Sequence, residues 1–165
     1  MKLLWNKLSR IALILAVLLA ISSLAACKQE DALVYAFDES STASLAQSLL
    51  DAGLFDDQLT QLDEEAASAR FPYNQTSSLY YGSTGATSEM ILMLRYDSAD
   101  AAQEGVTRMR KYLSSQADLY ATYNAAEVPK LKNAFCEVCG SWAILVVSND
   151  ASAAADLIRA SRVKA

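Results

Sequence analysis

The sequence predicts an α+β domain, a mostly antiparallel sheet of about four strands with helices on one face, preceded by short N-terminal helices. Three observations carry that expectation. MILMLRY at 90–96 and WAILVVS at 142–148 are short apolar runs bounded by turn and cap residues, as strands are. Between them Ala102, Val106, Met109, Leu113, Ala117 and Tyr120 step by fours and threes, the period of one long helix. The hydrophobic period also changes along the chain, from helical before Pro72 to strand-like after it.

Taken in order, Ser41-Thr42 offers caps for a first helix whose Leu45, Leu49 and Leu50 lie at helical spacing, and Gly53 stops it. Leu54 to Leu62 is ambiguous. Asp63-Glu64-Glu65 opens a short helix that reaches about Arg70, because acidic residues favour the positive end of the helix dipole and Phe71-Pro72 follows. Ser77 to Tyr81 reads as a strand, Gly82 to Gly85 as a turn and Met90 to Tyr96 as a strand apolar enough to be buried on much of both faces. Asp97 is the expected cap of the long helix, which ends near Ala125, before Pro129. Leu131 to Cys136 and Trp142 to Ser148 are the next strands, and Asn149 or Asp150 caps a last helix, Ala151 to Arg162. Ile91-Leu92, Asp97 and Ala101-Ala102 recur as Ile144-Leu145, Asp150 and Ala154-Ala155 at an offset of 53, which suggests two β-β-α units. Any capped helix after an apolar strand would look similar.

The N-terminus speaks to address. Lys2, Lys7 and Arg10 precede an uninterrupted apolar run from Ile11 to Ile21, too short for the roughly 20 residues a membrane helix needs. Leu24-Ala25-Ala26-Cys27 follows. Together these are similar to a bacterial lipoprotein signal with its lipobox, which implies cleavage before Cys27 and lipid on its thiol. The expected organisation is a signal peptide at 1–26, a lipidated Cys27 and tether at 27–39, and one domain at 40–165. The expected location is the extracytoplasmic side of the cell membrane, with the lipid on Cys27 as the membrane contact. Removing 1–26 leaves 11 Lys+Arg against 19 Asp+Glu, a charge of −8, and a body this acidic disfavours nucleic acid and anionic headgroups. A protein or cell-envelope partner is compatible with it.

Chemistry is sparse. The chain has no His, which removes Ser-His, Cys-His and His-metal sites together, and it has no Walker loop or dinucleotide fingerprint. Cys136-Glu137-Val138-Cys139-Gly140 resembles a redox or zinc-knuckle motif, but a strand rather than a helix follows it and no third and fourth ligands accompany it. The expected state is a disulfide between Cys136 and Cys139 across a hairpin turn, with reduced thiols, a redox pair and a metal site as alternatives. Asp56-Asp57 and Asp63-Glu64-Glu65 could supply paired carboxylates, yet neighbours at a helix start do not face one another across a cleft. Arg108-Met109-Arg110-Lys111 reads as the wet side of the long helix, with an anion site as its alternative. No catalytic residue, cofactor or metal is expected. The functional expectation is a non-catalytic binding or interaction domain, the alternative a membrane-proximal thiol-disulfide protein using Cys136 and Cys139.

Tyr123-Asn124, Glu127-Val128-Pro129-Lys130-Leu131, Glu137-Val138, Gly140 and Leu145 to Asp150, in that order, resemble the C-terminal half of a bacterial lipoprotein family of unknown function, DUF forty-three fifty-eight. Leu62 to Glu65, and Gly85-Ala86 ahead of Glu89, fit the same order upstream, and the resemblance covers about residues 45 to 160. It implies a lipoprotein with a small α+β domain and carries over no functional residue. Cys136 and Cys139 depart from the pattern.

Overall fold

The computed structural model describes Phe37 and residues 39–161. The expected signal peptide, Cys27 and the tether up to residue 36 lie outside them. The elements are α1 (Glu39–Asp51), β1 (Thr60–Leu62), α2 (Glu64–Arg70), β2 (Ser77–Gly82), β3 (Met90–Arg95), α3 (Ala99–Tyr123), a 3-10 turn (Ala125–Glu127), α4 (Val128–Asn133), β4 (Phe135–Cys139), β5 (Trp142–Val147) and α5 (Ala151–Ala160). The five strands form one sheet in the order β1-β2-β3-β5-β4, every neighbouring pair antiparallel. The α+β class and the antiparallel sheet agree with the sequence, and the additional strand is β1, a three-residue edge inside the stretch whose periodicity is ambiguous.

Helices cover both faces of the sheet rather than one. Met90, Leu92 and Leu94 pack with Leu145 and Val147 against α2, α3 and α4, while Ile91, Met93, Ile144 and Val146 face α1 and α5. The reason is the strands themselves. In β5 all six residues are buried and in β3 five of six, so neither strand has a side to leave in water. The paired faces also bear on the β-β-α repeat. β3 and β5 run antiparallel side by side, so the two-fold axis that exchanges them is normal to the sheet and would keep both following helices on one face. Because α3 and α5 lie on opposite faces, the units share an order of elements but no such symmetry.

Local capping departs from expectation at two places that matter. Ser98, not Asp97, caps α3: its Oγ accepts the Ala101 N–H at 3.1 Å. More consequentially, Leu131 belongs to α4 and not to a strand. Pro129 sits in the first turn of α4, where its missing N–H is one of the helix's unpaired donors anyway, so it starts a helix as well as following one. Leu131 is then free to enter the core, and β4 begins only at Phe135. At the other end, Phe37 is buried and its carbonyl accepts the Trp142 Nε1–H at 3.0 Å, so this residue of the expected tether packs with the domain.

The α3 stripe is buried as the spacing predicts, and Gly105 joins it. The Tyr96 ring lies over this glycine: a Cβ there would come within 2.7 Å of Tyr96 Cε2. Gly105→Ala is therefore expected to destabilise the domain by about 1–3 kcal/mol through overpacking, reversing the gain of about 1 kcal/mol that alanine gives in an open helix. Urea denaturation measures the sign, and a more stable variant would mean that the ring is not seated there.

Candidate functional site

Two features gather polar groups. The first lies at the end of the sheet where β3 begins. The Lys130 Nζ is bonded to Glu89 Oε1 at 2.9 Å, Asp56 Oδ2 at 2.9 Å and Glu127 Oε1 at 3.1 Å, which uses its three donors. The Glu89 side chain has no exposed surface, and its carboxylate also accepts the backbone N–H groups of Asp56 at 3.0 Å and Asp57 at 2.9 Å. Glu127 Oε2 accepts both the N–H and the hydroxyl of Ser88, at 2.8 and 2.9 Å. Burial works against the charge of Glu127, but the bonds from Ser88 and Lys130 together hold its carboxyl below its ordinary value. Burial alone would lower the Lys130 ammonium; its bonds to Glu89, Asp56 and Glu127 outweigh that and raise it. The exposed Asp56 is held low, chiefly by the bond from Lys130.

The contacts favour the charged forms of Lys130, Glu127 and Asp56. A lysine that must act as a nucleophile or base needs its pKa lowered, and here it is raised. Asp56 and Asp57 are not a facing pair: Asp56 holds Lys130, whereas Asp57 Oδ2 accepts the Thr84 N–H and hydroxyl, each at 3.3 Å. Asp63 caps α2 by accepting the Ala66 N–H at 2.7 Å, leaving Glu64 and Glu65 in an exposed first turn. Sequence reasoning does not assemble Lys130 with Glu89 and Glu127. The legible signals are the Glu127–Lys130 spacing of three, which puts both on one side of a helical turn, and an acidic residue just before an apolar strand.

The second feature is a groove of about 750 Å³. Its floor is β4, an edge strand, and its walls are α3 on one face of the sheet and α5 on the other. Arg110, Lys132 and Arg159 line it together with Asp118 and Glu137. Leu113, Ala117, Phe135 and Ala155, each only 6–8% exposed, give it an apolar lining. The volume is in the range of ligand-binding clefts. Arg110 is exposed on α3, as the sequence leads one to expect, and it also lines this groove: one of its guanidinium nitrogens donates to the Cys136 carbonyl at 3.1 Å.

The expected disulfide between Cys136 and Cys139 is not formed. Because β4 starts at Phe135, both cysteines stand in the strand, and residues three apart in a strand point to opposite faces. Cys136 joins the core under α3, where its thiol lies 3.9 Å from the Val106 carbonyl, and Cys139 joins the core under α1 and α5. The turn is instead Gly140-Ser141, with Gly140 at the positive φ of 63° that a tight hairpin turn asks of its first central residue. Burial pushes the Cys136 thiol up to about 11 against the pull of Arg110, opposite to the shift a redox cysteine requires.

Among the described residues, no cluster of three or more acidic or cysteine side chains is arranged to hold a metal, and no helix is long and apolar enough to cross a membrane. No family model matches the chain, and neither a curated protein nor a solved structure does.

Two outcomes follow from this geometry. Glu127 has a folded-state pKa below its unfolded value of 4.5, so its contribution is present above pH 4.5 and lost as pH falls through the folded value. Lys130 is raised from 10.5, so its contribution is full below that pH and lost only as pH climbs past the folded value. Lys130→Met at pH 7 should cost about 3–5 kcal/mol by leaving buried carboxylates without their cation, and the gap from wild type should narrow at acid pH as protonation removes the charge of Glu127. A gap independent of pH in denaturant titrations would mean that the loss is one of packing alone. For the cysteines, alkylation in denaturant without reductant should label both Cys136 and Cys139, whereas the native protein should resist; a mass two daltons short of the dithiol would show a disulfide instead.

Proposed function

We propose that the chain is a lipid-anchored bacterial lipoprotein on the extracytoplasmic side of the cell membrane, its domain a non-catalytic binding or interaction module. The observation that carries the binding reading is the groove along β4, where cations converge on an otherwise acidic body. The charged groups at the Lys130 cluster satisfy one another, which supports a structural role for them and leaves the groove as the place for a partner. The anchor is supported by the order of basic head, apolar run and Leu24-Ala25-Ala26-Cys27. Phe37, clamped by Trp142, is ten residues from Cys27, and at most about 3.5 Å per residue this tether would hold the groove within tens of ångströms of the bilayer.

Cys27→Ser is the direct test of the anchor, since a hydroxyl cannot form the thioether. Wild type is expected to partition into a detergent phase and the variant to appear uncleaved or released, without lipid mass. Unchanged partitioning with the same mature mass would refute the anchor.

A further inference from the structure

The exposed edge of β4 has a definite hydrogen-bonding pattern. A two-residue turn makes Cys139 and Trp142 a hydrogen-bonded pair, so Cys139, Glu137 and Phe135 direct their backbone groups to β5. Cys136 and Val138 direct theirs outward, away from the sheet. The Arg110 bond to the Cys136 carbonyl is the independent sign of this phase, because only an outward carbonyl can be reached from α3 at the groove wall. Among the described residues no strand pairs with β4 on its outer side, an edge of this kind invites a further strand, and Arg110 is its guard.

We propose that this edge takes an extended, acidic peptide segment of a partner protein, which adds to β4 as a further strand between α3 and α5. The inference deepens the binding-module reading and rests on it. Charge selects the occupant. Over 39–161 the chain holds 8 Lys+Arg against 16 Asp+Glu, but the groove holds three of those cations, Arg110, Lys132 and Arg159, and two acids, Asp118 and Glu137. A site of net charge +1 in a body of −8 favours an anionic guest. An incoming carboxylate would draw the Arg110 guanidinium into a charge-assisted pair, which releases the Cys136 carbonyl to accept the guest's backbone N–H. Shape selects a bare strand. A second copy would bring its own α3 and α5 against these walls, whereas an extended segment brings only its backbone and side chains to the roughly 4.8 Å that strand pairing needs. The Arg159 partner on its own helix, Asp156, is at 3.5 Å with both side chains half or more exposed, so that pair yields readily.

The test uses the full chain in detergent micelles and a library of acetylated, amidated hexapeptides with Glu fixed at alternate positions and the others degenerate. Enriched peptides should bind with salt-sensitive affinity, protect the Cys136 and Val138 amides from hydrogen exchange, and lose binding when N-methylated on their β4-facing amides. Arg110→Glu and Arg159→Glu should each weaken binding about tenfold while thermal unfolding stays cooperative. Using both variants keeps the test valid if one fails to fold. No enrichment overturns the proposal, and leaves the anchor to be judged separately by the detergent partitioning of Cys27→Ser. Equal binding of N-methylated peptides, or displacement by inorganic phosphate, overturns it in favour of a small-anion site. Protection of the two amides before any peptide is added overturns it in favour of a second copy or the chain's own segment, which sedimentation tells apart.

Discussion

One ammonium group holds the end of the domain where β3 begins. Lys130 sits among Glu89, Glu127 and Asp56, and through their remaining oxygens it fixes three pieces of backbone: the loop at 56–57, the β2–β3 connection at Ser88 and its own helical turn. Tyr120 strengthens the same junction by donating its hydroxyl to the Thr87 carbonyl at 2.8 Å. Burying a carboxylate as completely as Glu89 is costs several kcal/mol unless it is paired and hydrogen-bonded, and here both conditions hold. Such a network adds less net stability than its list of bonds implies. Its stronger effect is to make any other arrangement of these segments leave a charge unpaired.

That fixation reaches the groove. Lys130 is in the first turn of α4, and α4 decides where β4 starts. Were β4 to slip by one residue against β5, every side chain in it would change face, because strand side chains alternate. The staple at Lys130 thus helps to set the strand phase that sends Cys136 and Cys139 into separate cores and turns the Cys136 carbonyl outward to Arg110. The two-sided burial of β3 and β5 acts with it. Since helices must cover both faces, both layers line the space beyond the edge strand, and a cleft forms where they flank it.

The two edges of the sheet are managed differently. β1 is three residues long and exposed throughout, too short to recruit another strand with much affinity. β4 has five residues, apolar walls on either side and one arginine on its outer carbonyl. A protein that needed only to avoid self-association could have shortened this edge too.

Residue by residue, the sequence determined most of the local structure, because its signals are local. Gly53 at a φ of 68° ends α1, Asp63 and Asp150 cap α2 and α5, and the stripe from Ala102 to Tyr120 gives α3 its buried face. The coverage of both faces was legible as well, in apolar runs that leave no polar side, although one-sided coverage was the expectation drawn from them. Tertiary structure alone decided what depends on residues distant in the chain. Pro129 is compatible with a helix end or a helix start, and only the packing of Leu131 and the pairing of Lys130 with Glu89, 41 positions away, selects the start. The cysteine pair, the strand phase and the groove all follow from that choice. Spacing along the chain cannot express it, since the energy that decides it is the cost of leaving a buried carboxylate without its lysine.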